Sequence, residues 1–289
     1  MTSEERRAAV LAAFPELRKS MFQLLAGGWD CVAIDVDDRL IFKFPRHEAG
    51  RRRLVAEAGV LAVVRPAVTM PVPDLTFHPG PPPFSRHTKL RGEHLPTAGY
   101  ERLPAGARER LARDMALFYA ELHRLDAGLM QASGAGPIEP WLPPDDILRR
   151  VWPILPSRWR AYADRTVDAW QRLPPDPCGT TYGFFDGHGW NMAFDHARER
   201  LNGIYDFADS GFGPLHQEFI YANWIAPDLT ARIVAAYEAL TGRLLDRERI
   251  DRLSGVLRLS ELARAADDDP QRDLALRAVA SRAAREGQA

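Results

Sequence analysis

Short apolar runs broken by turn residues dominate the first ninety positions, whereas later apolar positions recur with a helical period. Residues 5–20 predict an amphipathic helix. After it, Gln23-Leu24-Leu25-Ala26, Cys31-Val32-Ala33-Ile34 and Leu40-Ile41-Phe42-Lys43-Phe44 predict three antiparallel strands. Gly27-Gly28 separates the first two, Asp37-Asp38 turns into the third, and Pro45 stops the sheet because it cannot donate to a ladder. Residues 47–64, dense in Arg, Ala, Leu and Glu, predict a helix. A proline-marked stretch from Pro66 to Pro83 follows, with a hairpin expected around Pro79-Gly80-Pro81 and its second strand over 84–90. Arg91-Gly92-Glu93 reads as a turn, which sets the expected boundary between a lobe of residues 1–90 and one of residues 91–289.

The second lobe predicts mostly helix. Leu111, Met115, Phe118, Leu122 and Leu125 recur at spacings of four and three, as one buried stripe does. A Gly/Pro-rich loop is expected from Gly128 to Pro144. Residues 191–195 and 201–206 predict a hairpin joined by a charged turn. Helix resumes after Pro214. Leu229, Ile233, Tyr237 and Leu240 form another stripe, with Asp228 as expected N-cap and Gly242 as stop. The end, from Asp251 to Ala289, predicts a polar helical segment with a loop at Asp267-Asp268-Asp269-Pro270, and no internal repeat occurs.

Composition narrows the function classes. The 289 residues are 46% hydrophobic and 27% charged, which is globular usage with enough chain for two modest cores. A net charge of −1 offers no global field for a nucleic-acid polymer. No apolar signal core opens the chain and no run reaches the ~20 apolar residues of a membrane helix, so a cytoplasmic protein without a membrane partner is expected. Two cysteines, Cys31 and Cys178, are too few for a disulfide framework. Among the 38 basic residues only Lys19, Lys43 and Lys89 are lysines, so the position of each one is informative.

The chemistry concentrates between Tyr182 and Asp209. Asp186 and Asn191 stand five apart around two glycines, and the expected hairpin would return Asp206 to Asn191. Phosphoryl transfer needs such a set. One carboxylate (Asp186) orients the attacking hydroxyl and accepts its proton, while a second carboxylate (Asp206) and an amide oxygen (Asn191) hold Mg²⁺. Lys43, near the end of an apolar strand, would supply the phosphate-binding cation, with Glu57 fourteen residues on as its helix partner.

At these residues the chain resembles the aminoglycoside phosphotransferase family of kinase-fold enzymes, across almost its whole length. Asp186 to Asn191 is similar to that family's His-Gly-Asp-x-x-x-x-Asn loop, Gly203-Ile-Tyr-Asp-Phe-Ala-Asp209 to its Gly-x-Ile-Asp-Phe-Gly-Asp segment, and Ile41-Phe-Lys-Phe-Pro45 to its lysine strand. Pro71-Val-Pro73, Gly92-Glu93 and Leu122-His123 resemble further landmarks. The resemblance implies an α+β, bilobal protein-kinase-like fold, with a small antiparallel-sheet nucleotide lobe and a mainly helical lobe for catalysis and acceptor. It implies ATP or GTP as nucleotide, and backbone groups of His87, Thr88, Lys89 and Leu90 as the hinge for the base. Three positions depart: Phe184-Phe185 replaces His-Gly, Ala208 replaces Gly, and Gly213-Pro-Leu-His-Gln-Glu218 replaces Asp-Pro-x-x-Asp, which passes the second structural carboxylate to Glu218.

Several positions carry two readings. Gly28, with Gly27 and Trp29, would either cover the phosphates through backbone amides or form a plain turn. His188 would touch acceptor or phosphate, or pack the loop; His123 would brace the catalytic loop; Asp209 reads as a second-shell or turn residue. Asp267 to Asp269 are either solvated or set to hold a cationic acceptor. The leading function is ATP-dependent transfer to a hydroxyl of a small molecule, an aminoglycoside-type antibiotic foremost. Kinases of another antibiotic, an amino alcohol or a sugar stand beside it, as does a non-catalytic nucleotide-binding pseudokinase. A metal hydrolase using Asp186, His188 and Asp206 would leave Lys43 unexplained.

Overall fold

The computed structural model describes residues 1–25, 30–265 and 270–286, and builds its first lobe on one five-stranded antiparallel sheet. Helix α1 (Ser3–Ala13) precedes it, opened by a capping box between Thr2 and Glu5. The helix expected to reach residue 20 breaks earlier. Pro15 lacks a donor and clashes with the preceding turn, so Pro15–Lys19 forms a separate 3₁₀ turn. The strands are β1 (Phe22–Leu24), β2 (Cys31–Val36), β3 (Leu40–Pro45), β4 (Thr76–His78) and β5 (Phe84–Thr88), in the order β1-β2-β3-β5-β4. Gly28 and its neighbours Gly27 and Trp29 lie outside the described residues, as do Asp267 to Asp269.

Strand alternation sorts the sheet's two faces. Val32, Ile34, Val36, Phe42, Phe44 and Phe84 bury against Val10 and Leu17, while Lys43 points the other way, toward helix α2 (Glu48–Val64). Asp37 and Asp38 both take positive φ in the β2–β3 turn, the handedness that suits twisted strands. Helix α2 carries Val60, Leu61 and Val64 into the core of the second lobe.

The second lobe comprises α3 (Thr97–Glu101), α4 (Ala105–Leu122), α5 (Ala127–Ala132), α6 (Pro144–Val151), α7 (Ser157–Gln171), α8 (Pro227–Thr241), α9 (Arg247–Arg264) and α10 (Pro270–Glu286). Two small sheets interrupt them: β6 (Thr180–Gly183) with β9 (Gly211–Pro214), and β7 (Met192–Asp195) with β8 (Arg200–Ile204). Leu111, Met115, Phe118 and Leu122 are the buried stripe of α4. The lobes' kinase-like division of labour, sheet against helices, is the one expected.

Local differences have physical causes. The Gly128 end of the expected loop is helical, because Asp126 caps α5 through the Leu129 amide. Asp228 does not cap α8. Pro227 takes the first helical position, which makes Ala226 the cap, and Asp228 accepts instead from Tyr100 Oη at 2.6 Å. Leu240, last of its stripe, turns out to solvent, while Gly242 ends the helix at φ 71° as expected. The charged tail is not a polar appendage. Helix α9 is buried along most of its length, and Arg249 and Arg258 find carbonyl acceptors at Pro174 and Asn223.

Candidate active site

The site begins with the β7–β8 hairpin. Met192 pairs with Ile204, and the Tyr205 amide donates to the Asn191 carbonyl at 3.0 Å, so the chain returns Asp206 beside Asn191. Asp206 takes φ 69°, a left-handed conformation that turns its carboxylate toward the first lobe. There Lys43 Nζ donates to Asp206 Oδ1 at 2.9 Å and to Glu57 Oε1 at 3.2 Å. Glu57 Oε1 also accepts from the Phe207 amide at 3.2 Å. The buried Glu57 therefore ties strand β3, helix α2 and the Asp206 segment into one network. Burial would lower the Lys43 pKa, but the charges of Asp206 and Glu57 outweigh it and hold the ammonium well above its usual range. The same lysine holds the Asp206 carboxyl below the usual carboxylate range, against the penalty of burial.

Asp186 stands opposite, one-fifth exposed. Asn191 Nδ2 donates to Asp186 Oδ2 at 2.6 Å and to its carbonyl at 3.1 Å. With its amino group committed to acceptors, Asn191 presents its oxygen away from Asp186, the hard donor that magnesium takes. This oxygen and the half-exposed Asp206 carboxylate fit a magnesium ion chemically. His188 Nε2 lies 3.0 Å from Asp186 Oδ1, and its ring meets Trp190 edge-on at 5.2 Å. Burial would lower the His188 pKa, yet Asp186 raises it overall. Of its two readings, this geometry matches packing within its own loop, against Asp186 and Trp190.

The bracing lost with the family's His-Gly is rebuilt from other groups. Phe184 is fully buried in an aromatic cluster, 4.9 Å from Phe207 and 5.9 Å from Phe118 between ring centroids. Phe185 has φ 52°, a left-handed conformation costing an L-residue roughly 1–2 kcal/mol. Glu218, fully buried, accepts from the amides of Phe184 at 2.9 Å and Phe185 at 3.0 Å. His123 reaches Glu218 at 3.5 Å and Tyr237 Oη at 2.8 Å, which places it behind the loop as expected. Since Phe184 links the catalytic loop to the Asp206 segment by packing alone, Phe184→Ala should cost about 3–5 kcal/mol. Denaturant unfolding of both proteins at equal m-value measures it.

Two backbone amides of the expected hinge already have partners. Strand β5 ends at Thr88, so Lys89 and Leu90 lie beyond it. The Thr88 amide already donates to Asp74 Oδ1 at 2.6 Å, and the Lys89 amide to the Arg39 carbonyl at 2.8 Å. Neither amide is open to a nucleotide base in this geometry. The Lys89 ammonium pairs with Asp35 and Asp38 across the β2–β3 turn, a structural role. His87 is buried and donates from Nδ1 to the Thr88 carbonyl at 2.9 Å, with its pKa pushed down to about 4 by burial and by Lys43. Leu90 packs its side chain over Gly203, where an added Cβ would come within 2.8 Å of Leu90 Cδ1.

Asp209, read from the sequence as a supporting or turn residue, has its pKa raised to about 6, by burial first and by the charges of Asp186 and Asp206 next. Other residues at the site went unread in the sequence. The Glu261 pKa is raised by burial and then by Asp186. Trp190 is 41% exposed, its ring 6.2 Å from Trp224, and Arg258 stacks 3.3 Å above Trp224. No periodicity or spacing marks these as one wall, because α9 comes to them from far along the chain. A separate cluster, Asp176, Cys178 and His216, has ligand types for a metal. Its hydrogen bonds are internally satisfied, since His216 binds Asp176 through Nδ1 and accepts the Asp246 amide at Nε2.

Fold and site together describe a kinase-like phosphotransferase. A family profile described as the phosphotransferase enzyme family matches residues 22–253, and the chain belongs to that family. Among solved structures, it is similar to the GDP complex of aminoglycoside 2'-phosphotransferase-IIIa, with 20% identity, 99% of this chain and 100% of that chain covered, and a TM-score of 0.84. The apoenzyme of macrolide 2'-phosphotransferase MphH from Brachybacterium faecium gives 18% identity, 90% and 92% coverage, and a TM-score of 0.66. An ADP-bound aminoglycoside phosphotransferase, APH(2'')-Ib, gives 14% identity, 96% coverage of each chain and a TM-score of 0.62. Likeness at these identities shows the fold. No curated protein sequence matches significantly.

Proposed function

We propose that the chain transfers the γ-phosphate of ATP or GTP, with magnesium, to a hydroxyl of an amine-bearing small molecule of the aminoglycoside type. The observation that carries this reading is the Lys43 bridge between Glu57 and Asp206, at the end of the hairpin that also sets Asn191 against Asp186. Residues 1–90 form the nucleotide lobe and residues 91–289 the catalytic and acceptor lobe. Lys43 neutralises nucleotide phosphates, Asn191 and Asp206 hold the metal, and Asp186 orients the acceptor hydroxyl and takes its proton as the oxygen attacks phosphorus. Magnesium held by Asn191 and Asp206 would offset the charge of the phosphates. Leu90 and the main chain around it border the base. Among the described residues no helix is long and apolar enough to cross a membrane, and the nucleotide requirement suits the cytoplasm.

The acceptor class rests on charge. The pKa of Asp209 and that of Glu261 are raised by burial first and then by neighbouring carboxylates, Asp186 for both and Asp206 for Asp209, and an amine-bearing acceptor would relieve the repulsive part. Two solved relatives are an aminoglycoside and a macrolide phosphotransferase, so both classes belong in the test. Coupled nucleotide turnover should be measured against aminoglycosides, macrolides, amino alcohols and sugars. Turnover with an aminoglycoside supports the reading, and turnover confined to uncharged acceptors, or to none, defeats it. A pH series adds a sign. Asp209 loses its proton as pH rises through about 6, so the KM of a cationic acceptor should fall across that interval. An uncharged acceptor would show no such fall.

A further inference from the structure

Phe185 occupies the position directly before the proposed base, and three features hold it there. Its backbone is left-handed, at φ 52°, although it is a bulky L-residue that is 2% exposed. Its amide is fixed at 3.0 Å by the fully buried Glu218. Its ring enters a slot in the β6–β9 sheet that exists only because two strand residues lack side chains. A Cβ on Gly183 would stand 2.9 Å from Phe185 Cε2, and one on Gly213 would stand 2.7 Å from Phe185 Cζ. Gly213 pairs with Thr181 and Gly183 with Gly211, so the two glycines share one face of that sheet.

On the other side of Asp186 the main chain is fixed as well. The Asp186 carbonyl accepts the His188 amide at 2.8 Å and Asn191 Nδ2 at 3.1 Å. The direction of the Asp186 side chain is therefore set by two clamps, one polar and downstream, one aromatic and upstream. A glycine before Asp186 would reach the same φ without steric cost, but it would have no ring to lock into the sheet.

We propose that Phe185 is a positioning residue for phosphoryl transfer: its ring, seated between Gly183 and Gly213, holds the strained backbone that aims Asp186 at the acceptor hydroxyl. The inference rests on Asp186 being the base, and the experiment separates the two. A methyl at Gly213 would press on Ile138 Cδ1, at 2.6 Å, as well as on the Phe185 ring, at 2.7 Å, so the part of its effect that passes through the ring is read by comparison with the double variant. Steady-state kinetics with an active acceptor are measured for Gly213→Ala, Phe185→Leu, the double variant and Asp186→Ala, with thermal melting as a check on folding.

Gly213→Ala is expected to lower kcat by roughly tenfold or more while the nucleotide KM stays within about twofold, since a displacement near 1 Å at a catalytic group can cost up to ~100-fold. The double variant should be little slower than Phe185→Leu alone, because the shorter side chain leaves the new methyl only Ile138 to displace. A purely structural slot would lower the melting temperature of Gly213→Ala and leave its kcat unchanged, which overturns the inference. Losses that multiply in the double variant overturn it too. If Phe185→Leu does not fold, the kcat of Gly213→Ala decides alone. Full activity in Asp186→Ala removes the group being aimed, and sinks the parent reading with this one.

Discussion

Asp186→Ala will abolish phosphate transfer while leaving nucleotide binding close to that of the unaltered protein. The expected loss in kcat is at least the ~10²–10⁴-fold that a positioned general base contributes. The side chain meets His188 at Oδ1 and Asn191 at Oδ2, and neither lysine nor hinge groups depend on it. Asn191 keeps its second acceptor, the residue-186 carbonyl at 3.1 Å, so the metal-facing oxygen should hold its direction. Single-turnover transfer and nucleotide titration calorimetry, run on the same preparation, separate the two effects. Retained transfer would remove Asp186 from the chemistry, and lost nucleotide affinity would show that it shapes the phosphate site instead. Two secondary signs follow from charge. Without the Asp186 carboxylate, the pKa of Asp209 should fall from about 6 toward the ordinary range. That of His188 should fall as well, because burial then acts without its counter-charge.

Glu218→Ala should lower stability as much as Phe184→Ala does. The variant strands the Phe184 and Phe185 amides in a dry interior, at about 1–3 kcal/mol each, and removes the acceptor facing His123. A total on the order of 3–5 kcal/mol would consume much of the stability of an ordinary domain. Glu218→Gln keeps one oxygen but turns an amino group toward a donor, so an intermediate loss is expected. Both follow from thermal or denaturant unfolding, and kcat should fall further than stability alone predicts, because the two amides set the chain entering Asp186. A Glu218→Ala protein as stable as the parent would mean that water replaces the carboxylate at those amides.

Part of the site was readable because it is local. Asp186 and Asn191 are joined by a glycine-containing loop, and alternation in 192–195 and 200–204 is enough to pair two short strands and return Asp206 to Asn191. Lys43 was readable for a related reason. Strand alternation puts it opposite Phe42 and Phe44, and a charged group on the face away from a phenylalanine core needs a purpose. Its partner Glu57 lies in a charged helix where most glutamates are solvated, and only the approach of the Phe207 amide makes it a buried junction.

The hinge shows the opposite case. His87, Thr88, Lys89 and Leu90 follow a strand as the resemblance implies, but hydrogen-bond supply there depends on competitors elsewhere in the chain. Asp74 takes the Thr88 amide, and Arg39 takes that of Lys89. Backbone donors do not remain idle when a carboxylate or carbonyl is within reach. Glu261 and Arg258 are similar: they come to Asp186 and Trp224 only after α9 has packed into the second lobe.

By itself the sequence determined what period and spacing encode: the strands of the first sheet, most helices, the Asp186–Asn191 loop, the Asp206 hairpin, and Lys43 on the strand face away from Phe42 and Phe44. Tertiary structure alone decided which of those groups meet and at what charge. Lys43 and Asp206 lie 163 residues apart, and their ion pair exists because the β3 lysine and the αL turn at Asp206 face one cleft. It also decided how Asp186 is held once Phe184-Phe185 replaces His-Gly. The brace is a buried carboxylate and a ring in a glycine slot, and side-chain volume matched across a sheet leaves no mark in linear spacing.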